Sequence, residues 1–197
     1  MNDGDWSQVL AQRLFAQRVV VLHGPLDDAT AGRVSAELMT LDAEGDTAVS
    51  LRIDSGDGSL ALALTLMDVI ELLGVPVHAL CMGQVGGPAI GVLSVCSRRS
   101  SMPSTRFSLR EPTTEMHARA REVEQWAQLR SDEWRRFTER LAAAVGRPVA
   151  SVAESFSNGA FMSAPEALDF GLIDEICRPN GEIHQMPGPP IGFRPHR

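Results

Sequence analysis

Three short apolar runs, each followed by a helical stretch, constrain this chain more than any other feature. Residues 18–22 read Arg-Val-Val-Val-Leu, a β-branched run that suits a buried strand. Gly24-Pro25 then turns the chain, and Asp27 or Asp28 can cap a helix reaching about residue 43. Ala31, Val34, Leu38 and Leu41 share one face of that helix. Residues 47–53 form a second strand. Ser59 caps a helix over 60–73 that is apolar almost all round and therefore buried. Residues 75–81 form a third strand, followed by an apolar helix over 88–95. Strands and helices alternating in this order predict β-α crossover units and a mostly parallel sheet, an α/β fold.

Further along, residues 101–102 and 106–109 read as short strands around Pro103. A long helix is expected from about 115 to 145, with apolar positions Val123, Trp126, Leu129, Trp134, Phe137 and Leu141, and Gly146-Arg147-Pro148 as its stop. Ser163 and Glu166, three apart, make a capping box for a short helix that Gly171 ends. Residues 172–177 read as a last strand. The sequence divides into one domain over 1–177 and a Pro- and Gly-rich tail over 178–197, expected to be mobile.

The segment Cys81-Met82-Gly83-Gln84-Val85-Gly86-Gly87-Pro88-Ala89 reads as a strand, a glycine-rich elbow and a helix start. Such an elbow can present a serine nucleophile where helix N–H groups favour a developing anion. Here it carries Gly87, which has no side chain, and Pro88, which has no N–H. Composition narrows the chemistry further. All 18 basic residues are arginine, so a Ser–Lys dyad or a lysine Schiff base is impossible within one subunit, and the lack of tyrosine removes phenol acid–base chemistry. Three cysteines, Cys81, Cys96 and Cys177, at irregular spacing imply neither a disulfide framework nor a metal site. A net charge of −7 argues against nucleic acid as a partner. The absence of a long apolar run argues against a membrane span, and an N-terminus without a signal-like core leads to an expected cytoplasmic location. No cofactor and no metal are expected.

Five segments, in order, carry a resemblance over about residues 8 to 177. They are the run from Arg13-Leu14-Phe15 to Leu22, Ile53-Asp54-Ser55-Gly56-Asp57-Gly58, Cys81-Met82-Gly83-Gln84, Met102-Pro103-Ser104-Thr105-Arg106, and Phe161-Met162-Ser163-Ala164-Pro165-Glu166-Ala167. Together they resemble the proteolytic subunit of the ATP-dependent Clp protease, a serine peptidase family. The resemblance implies a crotonase-like spiral of β-β-α units with a protruding helical handle.

It also implies where the working residues belong. The nucleophilic serine falls on Gly87, the general-base histidine on Arg110 within Ser108-Leu109-Arg110-Glu111-Pro112, and the orienting aspartate on Gly159. Of the two oxyanion-loop donors, Gly58 keeps one and Pro88 deletes the other. Loss of the nucleophile or base alone costs roughly 10⁴–10⁶ in rate, and guanidinium cannot replace the base because it stays protonated. Asp57 stands in the place of a loop glycine and would set a carboxylate beside any oxyanion. Arg110 is expected to pair with Glu111 or another nearby acid.

The resulting expectation is a non-catalytic structural or regulatory subunit of a Clp-type peptidase assembly, forming a ring-like homo-oligomer and joining active Clp peptidase subunits. Asn158 and Ala160 replace the charged residues that lock ring to ring in the family, and Thr113 to Arg119 replace its Gly-rich handle strand. Ser50 and Arg52 replace aromatics of the ATPase-docking pockets, which counts against docking of an unfoldase. The tail tripeptide Ile191-Gly192-Phe193 resembles the hydrophobic loop that unfoldases insert into the peptidase ring, and is a candidate docking tail. Two alternatives stay open. One is an active serine endopeptidase with a relocated site, drawing on Ser55, Ser94, Ser108 or Cys81 as nucleophile and His23 or His78 as base. The other is a crotonase-like protein that holds a small anion or acyl group with the Gly58 amide and the Arg110 cation.

Overall fold

The β-branched runs form the centre of a seven-stranded sheet in the computed structural model, which describes residues 3–112 and 119–177. Strands β1 (Val19–His23), β2 (Val49–Ser55), β3 (Val77–Gly86) and β4 (Arg98–Ser101) lie side by side and parallel, and β7 (Glu175–Ile176) joins β4 at the edge. Beyond the end of β4, β3 continues and pairs in parallel with β5 (Arg106–Leu109), which in turn pairs antiparallel with β6 (Ala160–Ser163). The crossover pattern expected from the sequence is therefore present.

Helix α2 (Asp28–Glu44) is capped by Asp27, whose Oδ1 accepts the Thr30 N–H at 2.8 Å. It buries Ala31, Val34, Leu38 and Leu41, the face read from the sequence. Helix α3 (Leu60–Leu72) is capped by Ser59, and α4 (Ala89–Ser94) is buried along its whole length. Helix α5 (Val123–Val145) follows a 3₁₀ turn at Ala120–Glu122 and ends at Gly146, whose φ of 66° suits glycine. Its C-terminal half buries Phe137, Thr138, Leu141 and Ala142, and Trp134, Phe137 and Phe156 form an aromatic cluster with centroids 5.2 to 5.8 Å apart. Its N-terminal half leaves Val123, Trp126 and Leu129 nearly half exposed, so it projects as a handle. The helix begins at Val123 rather than 115, and residues 113–118 lie outside the described residues.

Three elements go beyond the sequence expectation: α1 (Asp3–Ala16), α6 (Val149–Ser157) and β6. Helix α6 contains three serines in nine residues, a weak helix former, and is held by burial of Val152 and Phe156. Helix α7 (Ala164–Phe170) has the expected Ser163–Glu166 capping box, with Glu166 Oε2 2.7 Å from the Ser163 N–H. The last strand is shorter than expected. Residues 172–174 form a loop that buries Leu172 and Ile173, and only Glu175 and Ile176 pair.

Strand β3 is longer than expected, and the reason bears on the site. Between Ile53 and Ser55 the register with β3 jumps from Cys81 to Val85, a bulge at Met82-Gly83-Gln84. Asp54 holds it: Oδ1 accepts the Gln84 N–H at 3.0 Å, while Oδ2 meets His23 Nδ1 at 3.1 Å. Gly83 has φ 56°, and a Cβ there would run into the Asp54 carboxylate. The bulge carries the strand on to Gly86, so the elbow tightens to Gly87 and Pro88.

Candidate functional site

The elbow opens on a cleft of about 470 Å³ lined by ten residues, among them Gly56, Asp57, Gln84, Gly87, Ser108, Arg110 and Glu111. The tip of β3, the end of β5 and the loop after β2 build it. Gly87 sits at φ 49°, the left-handed turn of a nucleophile elbow, and its N–H donates to Ser108 O at 3.0 Å. An added Cβ would make only ordinary contacts, 3.7 Å from Gly56 O and 3.8 Å from Arg110 O. The backbone of the elbow is intact and the room for a side chain exists, but no nucleophilic atom is there. Pro88 (φ −61°) follows as the first turn-forming residue ahead of α4, the position where its missing N–H is best tolerated.

Gly58 has φ 145° and is bridged to Leu26, and a Cβ on it would stand 2.6 Å from Leu26 backbone atoms. The expectation that its N–H remains open is corrected: that N–H donates to Asp57 Oδ1 at 2.7 Å. The carboxylate foreseen beside the oxyanion position thus occupies the donor itself.

Arg110 is also corrected. Its guanidinium lies over the Phe161 ring, 4.7 Å from the centroid, and Glu111 Oε1 instead accepts the Ser157 hydroxyl at 2.8 Å. A planar cation near an exposed aromatic face gains from stacking without the desolvation that a tight ion pair requires. Gly159 (φ 62°) forms the turn between α6 and β6 and does not line the cleft. Gly87 and Arg110 are thus brought together, Gly58 lies beside them through Asp57, and Gly159 stands apart.

The relocated-site residues are scattered. Ser55 is buried in the core, its Oγ without a hydrogen-bond partner. Ser94 Oγ donates to Gly91 O at 2.7 Å, inside α4. Burial pushes the Cys81 thiol well above its ordinary value, with Cys96 nearby adding to the rise, so the thiolate is disfavoured. Ser108 alone lines the cleft, and no histidine joins it there among the described residues. His23 is held by Asp54 at the surface, and His78 lies half-buried on β3. Ser50 and Arg52 occupy the half-buried positions of β2, beside His78 and Leu80 of β3. No helix among the described residues is long and apolar enough to cross a membrane, and no group of three or more His, Cys, Asp or Glu there could hold a metal. Ile191, Gly192 and Phe193 lie outside the described residues.

Sequence reasoning missed Gln84, Gly56, Phe161 and Ser157 as parts of the site. Gln84 carried a signal, since it follows Met82-Gly83 in the quoted motif. The Phe161–Arg110 contact joins residues 51 positions apart across an antiparallel pair and has no local signature.

A strand, a bulge, a left-handed elbow and a helix facing a cleft make a peptidase-type scaffold, and the family comparison decides whose. The Clp protease family model matches residues 2–180. The chain belongs to the Clp protease family. The mixed α/β architecture agrees with that membership.

Proposed function

We propose that this Clp protease family chain is a non-catalytic structural or regulatory subunit of a Clp-type peptidase assembly. The observation that carries the reading is Gly87 at the elbow: the backbone is turned for a nucleophile and no side-chain atom is present to attack. Three further features support it. The cleft holds no histidine among the described residues, Arg110 is stacked on Phe161, and Asp57 blocks the Gly58 donor. Acyl transfer requires a hydroxyl or thiol, a base in reach and donors for the oxyanion.

The subunit assembles with itself as a closed ring and with active Clp peptidase subunits. Exposed apolar side chains support association: Leu72 is 81% exposed, and Met39, Val123, Trp126 and Leu129 are each exposed by 46% or more. The reading extends to a single domain over 1–177 with a tail over 178–197 that docks through Ile191, Gly192 and Phe193, a cytoplasmic location, and no direct docking of an ATPase on Ser50 and Arg52.

Turnover of a fluorogenic peptide, with labelling by a fluorophosphonate probe, tests the loss of catalysis; the expected result is neither. Native mass spectrometry of the chain, alone and mixed with an active Clp peptidase, tests the assembly. Mixed rings are expected, and a monomer at tens of micromolar in both samples overturns the subunit reading.

A further inference from the structure

Strand β2 shows two different faces. Val49, Leu51, Ile53 and Ser55 are buried, whereas Ser50, Arg52 and Asp54 alternate with them and are half-buried, so they share the opposite side of the sheet. Helices α2, α3 and α4 bury their apolar side chains with Leu51 and Ile53, on the inner side. On the outer side, Arg52 stands in register between Val21 of β1 and Leu80 of β3, both half-buried and apolar. Ser50 stands beside His78.

The carboxylates on that outer side are spent. Asp54 accepts the Gln84 N–H through Oδ1 and meets His23 through Oδ2. Glu175, at the sheet edge, accepts from Arg98 at 2.9 Å and from the Ser100 hydroxyl at 2.7 Å. Arg52 lies between these two clusters and is left over. Three arginines among the described residues hold a buried nitrogen without a hydrogen bond: Arg18, Arg52 and Arg140. Arg18 still places its Nη2 on Gly45 O and Thr47 O, and Arg140 meets Asp68 and Glu71. Arg52 has no hydrogen bond and no ion pair among the described residues, and its Nε is the buried atom. A donor withdrawn from water without an acceptor costs free energy, and a charged one costs more.

We propose that this sheet face docks an extended segment of a partner protein, with a glutamate of the segment seated on Arg52 and apolar side chains two residues to either side of it against Val21 and Leu80. The guanidinium is a planar fork that meets a carboxylate with two parallel hydrogen bonds, and such charge-assisted bonds are about twice as strong as neutral ones. Docking turns the fork outward, so that Nε–H and one Nη–H both gain an acceptor. The neighbours set the rest of the specificity. Strands lie about 4.8 Å apart, and like-facing residues of an extended segment are about 6.6 Å apart. A segment crossing the strands obliquely therefore brings an apolar-x-Glu-x-apolar pattern over Val21, Arg52 and Leu80. The apolar flanks disfavour a dianion such as phosphate, which loses more hydration on burial. A purely apolar loop leaves Arg52 without an acceptor. The inference goes beyond the subunit role proposed above and does not rest on it.

Fluorescence anisotropy of a rhodamine-labelled Leu-Ala-Glu-Ala-Leu amide, titrated with the full chain, tests it. Saturable binding is expected, weakened about tenfold when the peptide's glutamate is replaced by glutamine, the loss of a charge-assisted pair. Replacing both leucines of the peptide by alanine is expected to weaken binding severalfold, and sodium phosphate equimolar with the peptide is expected not to displace it. In the protein, Arg52→Gln is expected to cost about tenfold and Arg52→Lys, which keeps the charge but not the fork, less. Arg52→Glu is expected to reject the glutamate peptide and bind its lysine counterpart, a reversal that a merely structural role for Arg52 would not produce. Equal binding of the glutamine peptide, displacement by equimolar phosphate, no anisotropy change, or a folded Arg52→Gln variant that binds as well as the native chain overturns the proposal.

Discussion

The Asp57 carboxylate takes the N–H of its own neighbour, Gly58, at 2.7 Å. A donor that could stabilise negative charge is already satisfied, and a carboxylate lies in the lining of the cleft. Gly58 cannot escape by shifting, because its approach to Leu26 leaves no room even for a methyl group. On the proposed non-catalytic reading, the site therefore differs from a working one by more than the side chain at Gly87.

The proposed non-catalytic reading gives an ordered expectation for substitutions toward a working site. Gly87→Ser alone restores no turnover of a fluorogenic peptide. Gly87→Ser with Arg110→His and Gly159→Asp restores the triad residue types but keeps Asp57 on the Gly58 amide, so turnover stays near background. Adding Asp57→Gly frees the donor and is expected to raise the rate by about 10²-fold. A triple variant as fast as the quadruple variant would show that Asp57 has no such role.

Much of the frame was legible because it depends on local chemistry. The Asp27 and Ser59 caps, the Ala31–Val34–Leu38–Leu41 face, the Ser163–Glu166 box and the bounds of β5 all follow from residues within a few positions of one another. The elbow was legible for the same reason. What escaped depends on distant partners or on φ and side-chain placement. The extension of β3 to Gly86 requires Asp54 to bridge a bulge about 30 residues away in sequence. Arg110 finds Phe161 only through the β5–β6 pairing. The Gly58 N–H looked open because its neighbour's side-chain direction is invisible in a string of letters. Helix α6 forms by tertiary burial of Val152 and Phe156, against a serine-rich sequence.

Gly91 of the elbow helix faces Phe137 of the handle helix with no room for a side chain. A Cβ there would collide with the Phe137 ring and stand 2.9 Å from Met67 Sδ. Gly91→Ala is expected to destabilise by roughly 1–3 kcal/mol through overpacking. Gly32, in α2 with nothing within 4 Å of its would-be Cβ, supplies the contrast. Gly32→Ala is expected to stabilise by about 0.5–1 kcal/mol from helix propensity. Urea denaturation of both variants checks the pair; equal effects would mean that α4 moves freely against α5.

Ser55 and Ser94 make a second pair with opposite expectations. Ser55 Oγ is buried without a partner, whereas Ser94 Oγ donates to Gly91 O. Removing an unsatisfied buried hydroxyl relieves its desolvation penalty, so Ser55→Ala is expected to be neutral or stabilising by about 1 kcal/mol. Ser94→Ala loses a made bond and is expected to destabilise by about 0.5–1.5 kcal/mol. Thermal unfolding distinguishes them, and a clear loss of Tm in Ser55→Ala would show that its hydroxyl has a partner in solution.

The C-terminal edge of the sheet is held by two adjacent ion pairs, and these set an acid limit. Burial tends to raise the Asp174 carboxyl, but hydrogen bonds and charge from Arg99 win and hold it below its ordinary value. Glu175 is held low first by its hydrogen bond from Arg98, then by that from Ser100. A carboxyl lowered in the folded state favours folding when ionised, so this stabilisation is fully present above the unfolded pKa of about 4. It is lost as pH falls through the lowered folded values. Tm measured from pH 7 down to pH 3 is expected to hold to about pH 5 and then fall. Asp174→Asn removes the ionisable partner of Arg99 and is expected to lower Tm at pH 7 while flattening the acid slope. An unchanged acid slope in that variant would assign the transition to carboxylates elsewhere in the fold.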